Sequence, residues 1–323
     1  MQPPPAQPSP SHVTHHYGVL GTGAVGALYG SRLWQAGHMV RFCLRSDLEA
    51  GLAQGLQVQS ASWGDVTVPP EHLCGSAAAL GPLDGLLVAL KTTANGELGA
   101  LLAALETPPR WIVMLQNGLG GEEQAAQAAP GAVVLGGVCD VACSRIAPAT
   151  MRHFGHGLVH LAPLQGTSEA EQTCSAVAAD LAAAGVPVDS SESLVTIRWR
   201  KLVWNIAFSG LCVVSGQHTL EVMGDPQLRR RLEAVMHEVI TAANADGAPL
   251  TTAVIDDFLA GTAAMPSYSP SMQLDAQAGR AMELEAIYRI PLQRAHRHGV
   301  AMPETTRLLQ ELEAIEAERG SAG

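Results

Sequence analysis

The sequence predicts an α/β fold: a doubly wound parallel sheet over residues 17–190, followed by an all-helical domain over 191–319. Three observations carry that expectation. Apolar runs of strand length alternate with helical stretches through the first half, a glycine-rich turn joins the first strand to the first helix, and strand-like alternation stops after "AAAGVPVDSSES".

Taken in order, "MQPPPAQPSPSH" is proline-rich and lacks the basic start and apolar centre of a signal peptide, so residues 1–16 are expected to be a flexible tail. From Tyr17, "YGVLGTGAVGALYGSRLWQAGHMVRFCLR" reads as strand, turn, helix, strand. "LDGLLVALK" and "WIVMLQNG" read as strands buried on both faces, with "ANGELGALLAALE" as a crossover helix between them. "AVVLGGVCDVACS" and "GLVHLAP" supply two more strands. From Leu194 to Glu318 the period is helical, as in "PQLRRRLEAVMHEVITAANADG" and "AGRAMELEAIYRIPLQRAHRHG", and residues 320–323 are expected to fray.

Composition narrows the function. The 323 residues are 47% hydrophobic and 15% charged, enough for a sizeable core. A net charge of −11 argues against nucleic acid or an anionic membrane as the main partner but leaves room for a local basic phosphate pocket. No apolar run reaches the roughly 18 residues of a membrane span. Cysteines 43, 74, 139, 143, 174 and 212 contain no CxxC pair, which points to reduced thiols in a cytoplasmic protein. His153, His156 and His160 are spaced for a ligand pair only on a helix, whereas "MRHFGHGLVHLAP" reads as turn and strand; structural histidines are expected, and no metal. The apolar helical half is compatible with a homodimer.

The glycine-rich turn is G-x-G-x-x-G: Gly21, Thr22, Gly23, Ala24, Val25, Gly26. Such a turn after a strand and opening a helix marks a Rossmann-type dinucleotide site. The first glycine permits the turn, the second admits a pyrophosphate, the third lets helix and strand pack closely, and the helix N-terminus offers N–H groups to the anion. The second strand ends "FCLRSD", with Arg45 and Ser46 first in line. Arginine favours the 2′-phosphate of NADP, while Asp47, if it points inward, would accept NAD.

Lysine is the scarce residue here. Lys91 and Lys201 stand against seventeen arginines in a Lys plus Arg total of 19. Arginine holds its proton under any protein condition, whereas lysine gives one up when its surroundings are tuned. On a helix Lys201, Asn205 and Ser209 would share one polar face among the apolar Trp199, Leu202, Val203, Trp204, Ile206 and Phe208.

With these pieces the chain, from Tyr17 to about Arg319, resembles the ketopantoate reductase (2-dehydropantoate 2-reductase) family. The matching motifs are "GTGAVG", "LK" at Lys91, "QNGLG" with Asn117, "WRKLVWN" with Lys201 and Asn205, "PSM" with Ser271, Glu283 twelve residues later, and "HGVAMPETTRLL". The resemblance implies hydride transfer from NADPH to the ketone of a 2-oxo acid, in the family the step to pantoate in pantothenate and coenzyme A biosynthesis. It places the catalytic lysine on Lys201, the cofactor-side lysine on Lys91 and the nicotinamide-side asparagine on Asn117.

The chemistry is consistent with that placement. An alkoxide formed at a ketone needs a positive donor and then a proton, and an ammonium supplies both. Glu283 would pair with that ammonium or with the cofactor, and the same residue could instead be a solvated helix charge like Glu285. Asn117, Asn205, Ser209 and Ser271 would hold the substrate's carboxylate and hydroxyl. Ser209 stands where pantoate-making members carry a second asparagine, and "YSPS" departs from their usual run, which opens the substrate to another 2-oxo acid. A non-enzymatic NADP-sensing module is the reading from a different class. It would need the glycine turn but no proton donor.

Overall fold

The computed structural model describes residues 13–320. Residues 1–12 of the expected tail and 321–323 of the expected frayed end lie outside that range. His16 opens the first strand, and just before it His15 N–H donates to His38 Nδ1 (3.2 Å).

Among the described residues ten strands form one sheet. They are β1 (His16–Leu20), β2 (Met39–Cys43), β3 (Leu56–Ser60), β4 (Val66–Val68), β5 (Leu73–Cys74), β6 (Gly85–Val88), β7 (Trp111–Met114), β8 (Val133–Ala147), β9 (Thr150–Pro163) and β10 (Val188–Asp189). The path β5-β2-β1-β6-β7-β8 is parallel throughout, and its order reverses direction between β1 and β6. Such a switch point leaves a crevice at the carboxyl ends of the strands, where ligands of doubly wound folds bind.

Five helices cover this sheet: α1 (Ala24–Gln35), α2 (Leu48–Gln54), α3 (Leu98–Ala103), α4 (Gly121–Ala128) and α5 (Ser168–Ala183). Because successive strand side chains point to opposite faces, "GLLV" and "WIVM" must be apolar at every position to be covered on both. Val19, Leu87 and Val113 pack with α1 and α5, whereas Leu20, Leu86, Ile112 and Met114 pack with α3 and α4.

β8 and β9 form a long antiparallel hairpin that outruns its neighbours and returns the sheet to β3. "MRHFGHG", read from sequence as a turn, is strand within β9, and the short β3, β4 and β5 were not recognised. Three register shifts interrupt the hairpin, the first between Asp140 and Val141. A bulge of this kind bends the strand and re-aims its side chains.

The helical half comprises α6 (Leu194–Trp204), α7 (Gly210–Ser215), α8 (Thr219–Gly224), α9 (Pro226–Ala245), α10 (Ala253–Ala263), α11 (Ser271–Gln277), α12 (Ile290–Arg297) and α13 (Pro303–Gly320). Helix α9 begins where Asp225 Oδ1 accepts from the N–H groups of Gln227 (2.7 Å) and Leu228 (3.0 Å), with Pro226 at the position that needs no donor. Leu232, Val235, Met236, Val239 and Ile240 then recur at helical spacing and bury against Trp199, Phe208, Tyr288 and Leu308. Removing a side chain such as Phe208 from this core would cost about 3–5 kcal/mol. No helix of the described residues is long and apolar enough to cross a membrane.

The stretch carrying Lys201 is not a continuous α-helix. Residues Asn205–Ser209 form a π turn between α6 and α7, and a second π turn, Glu285–Arg289, leads into α12. The two are coupled, since Tyr288 Oη of the second donates to the Ile206 carbonyl of the first (2.8 Å). A Cβ on Gly210 would stand 2.4 Å from that hydroxyl, so only glycine leaves room for the bond.

Candidate active site

The crevice is built first by the turn after β1. Gly21 has φ +87°, and a Cβ there would lie 2.4 Å from the Leu90 nitrogen; a Cβ on Gly26 would lie 2.5 Å from the Gly21 carbonyl. Gly23, in contrast, faces open space. It caps α1, whose first turn, with Ala24 and Val25, carries no acidic residue to compete for its N–H groups. Thr22 fixes the turn to the next strand through Oγ1, which donates to the Cys43 carbonyl (2.8 Å). The residues present therefore fit a pyrophosphate.

At the end of β2, Arg45 is exposed and Asp47 is buried. Both oxygens of Asp47 are engaged: Oδ1 accepts from Arg145 Nη1 (2.6 Å), and Oδ2 accepts from the Ala149 N–H (3.1 Å).

Lys91 follows β6 at the switch point. Its ammonium lies 2.8 Å from Asp275 on α11 and 3.4 Å from Glu283, both on the helical half. Burial alone would lower its pKa, but these two carboxylates outweigh burial and raise it. Glu283 is only 3% exposed and precedes the helix that contains Glu285. Its Oε1 accepts from both the N–H (2.9 Å) and the hydroxyl (3.0 Å) of Thr92. The solvated-charge reading of Glu283 is thus excluded. The ammonium it meets is that of Lys91.

Lys201, at the last turn of α6, is held by a carboxylate that sequence reasoning missed. Nζ donates to Asp140 Oδ1 at 2.6 Å. Burial opposes ionisation of Asp140, yet the hydrogen bond to His160 and the charge of Lys201 keep its carboxyl far below the usual range. His160, read from sequence as structural, therefore belongs to the surroundings of Lys201. His153 is buried against Ser60 (2.9 Å), whereas His156 is exposed, its Nε2 3.2 Å from Met265 Sδ.

Asn205 and Ser209 lie beyond Lys201 and are both buried. In an α-helix four residues overshoot a full turn, whereas in a π turn they fall short of one. The π turn thus draws Ser209 back toward the line of Lys201. Ser271 is exposed at the start of α11, and Asn117 is partly buried just after β7. Arg198, also missed, ties these parts together: it pairs with buried Glu122 on α4 and donates to the Met114 carbonyl (2.9 Å), fixing α6 against the end of β7.

Comparison with known proteins agrees with this architecture. The family model "Ketopantoate reductase PanE/ApbA" matches residues 17–166, and its C-terminal counterpart matches residues 193–316. The chain belongs to the ketopantoate reductase family. It is accordingly an oxidoreductase of that family acting on CH–OH groups. It is 35% identical to a 2-dehydropantoate 2-reductase of Nostoc sp. over 93% of this chain and 95% of that protein. Solved ketopantoate reductase structures agree: the 2-dehydropantoate 2-reductase of Geobacter metallireducens superposes with a TM-score of 0.86 at 36% identity, covering 92% of this chain and 99% of that one. That of Methylococcus capsulatus gives 0.84 at 33% identity, covering 94% and 97%.

Proposed function

We infer that this ketopantoate reductase family member reduces the keto group of a 2-oxo acid with NADPH, and that 2-dehydropantoate is its substrate. The observation that carries the reading is an ammonium, Lys201, held 2.6 Å from Asp140 at the carboxyl edge of the same sheet whose glycine turn is shaped for a pyrophosphate. The relatives called 2-dehydropantoate 2-reductase support the substrate. Arg45, exposed where a ribose 2′-phosphate would sit, supports NADP over NAD, as does the engagement of Asp47 elsewhere.

Gly21 to Gly26 would hold the pyrophosphate, Arg45 the 2′-phosphate, and Lys91, Asn117 and Glu283 the nicotinamide side. Bound there, the dinucleotide supplies a hydride. Lys201 stabilises the negative charge that develops on the ketone oxygen and then gives that oxygen a proton. Asn205, Ser209 and Ser271 orient the substrate's carboxylate and hydroxyl groups, and Asn117 completes that set. Glu283 holds the Lys91 ammonium and the Thr92 backbone in place for the cofactor.

One observation favours a bulkier 2-oxo acid as a second reading. Tyr268 of "YSPS" stacks on Trp204 (centroids 6.1 Å, planes 4° apart), three residues after Lys201. An aromatic face near the proton donor would suit an aryl substituent.

The test is loss of NADPH absorbance with 2-dehydropantoate, short aliphatic 2-oxo acids and aryl 2-oxo acids. The highest kcat/KM is expected with 2-dehydropantoate. First rank for an aryl acid would select the second reading, and no turnover with any of them would leave a cofactor-binding module.

A further inference from the structure

Lys201 is the inner end of a line of four side chains. Its Nζ lies 2.6 Å from Asp140 Oδ1, Asp140 Oδ2 lies 3.3 Å from His160 Nε2, and His160 Nδ1 lies 3.4 Å from Asp189 Oδ2. Strand pairing sets this order, because His160 on β9 is in register with Asp189 on β10 and with Val138 on β8, two residues before Asp140, which puts the Asp140 and His160 side chains on one face of the sheet. The Lys201 side chain is 23% exposed and Asp189, at the outer end, is 39% exposed.

We propose that Asp140 and His160 are positioning residues that also supply protons to Lys201: Asp140 holds the ammonium at the cleft, and His160 returns through Asp140 the proton that each reduction removes. This rests on the reading of Lys201 as the proton donor. In each turnover the ketone carbon gains a hydride, an N–H bond of Lys201 breaks, an O–H bond forms on the product, and a neutral amine is left beside Asp140. The Nε2–H bond of protonated His160 then breaks and its proton passes to Asp140 Oδ2. A half-turn of the partly exposed carboxyl presents that proton to the amine, which becomes an ammonium again. The ring is left as the Nδ1–H tautomer with its bare Nε2 facing Asp140, and a solvent proton entering at that 41% exposed carboxylate restores the Nε2–H bond. One solvent proton is consumed for each alcohol formed.

The charges around the ring favour its protonated form. Asp140 from β8 and Asp189 from β10 face it, with Glu192 adjacent, while Arg200 from α6 opposes them and is itself paired with Glu192. The hydrogen bond to Asp140 raises the His160 pKa against the effect of burial. Raised in the folded state, the protonated ring is present below that value and is lost as pH rises through it. Proton supply should fall with it.

The experiment is kcat against pH at saturating NADPH and substrate, for the parent and for Asp140→Asn, Asp140→Glu, His160→Gln and Lys201→Ala, with NADPH titrations to show that each variant is folded. Asp140→Asn should lower kcat by about tenfold or more with NADPH affinity retained, and Asp140→Glu should recover most of the loss. The parent's kcat should decline through an inflection above the ordinary imidazole value of about 6.5, and His160→Gln should lack that inflection. Parental kcat and pH profile in both Asp140→Asn and His160→Gln, with Lys201→Ala inactive, would overturn the proposal and leave the role of Lys201 standing. Parental turnover in Lys201→Ala would overturn both.

Discussion

The ammonium of Lys91, on the sheet, is clasped 2.8 Å from the carboxylate of Asp275, on the helical half. Lys91 is 48% exposed, but Asp275 and Glu283 are both buried, so removing the ammonium leaves two carboxylates inside the protein with one cation fewer. Its position at the switch point therefore matters for binding as well as for folding. Lys91→Ala should weaken NADPH binding by about tenfold, the equivalent of one lost charged contact of roughly 1.4 kcal/mol, and should also lower the unfolding temperature. Fluorescence titration and a thermal melt of the same sample check both halves.

Arg198 and Glu122 present a related case. Both are buried, and their bond joins α6 to α4 across the halves. Removing one partner leaves the other charged and unpaired inside the protein, which typically costs about 3–5 kcal/mol. Glu122→Gln should lose stability of that order in urea unfolding. It should also reduce turnover, because α6 carries Lys201.

Arg45 and Asp47 separate coenzyme choice from stability. Arg45→Ala should cut the preference for NADPH over NADH at least about tenfold, with NADH affinity nearly unchanged. Asp47→Asn should leave the preference alone and lower stability, since its carboxylate serves Arg145 and the Ala149 N–H. Paired NADPH and NADH titrations of both variants decide the matter, and a collapse of preference in Asp47→Asn would reverse the assignment.

Ser209 tests the substrate. The π turn draws it toward the line of Lys201, so Ser209→Asn should change the ranking of 2-oxo acids by kcat/KM and leave NADPH affinity unaltered. An unchanged ranking would make the serine a packing residue.

What could be read from the sequence was what chemistry writes locally. The glycine turn is legible because each of its glycines answers a short-range steric demand, and Lys91 and Lys201 stand out because arginine replaced lysine almost everywhere else. Asp140 was not legible: it lies 61 residues from Lys201, inside a strand, and reaches the lysine beside a bulge that no residue pattern announces. Glu283 was singled out with the Lys201 ammonium or the cofactor as its partner, and its contact with Lys91 was not legible because it depends on how the helical half packs over the sheet. The π turns escaped notice because one inserted residue barely disturbs a helical period. The strands β3, β4 and β5 are too short for their alternation to register.

The central claim is that Lys201 gives up its proton as well as offering its charge. Arginine at this position keeps the cation but not the ability to release a proton at neutral pH. Turnover of Lys201→Arg at saturating NADPH and saturating 2-oxo acid is therefore the direct measurement. The predicted result is a fall of about 10² to 10⁴ in kcat with NADPH binding retained, the range that general-acid catalysis supplies. Turnover within about threefold of the parent would contradict proton donation by Lys201, because the loss of a general acid is worth far more than that.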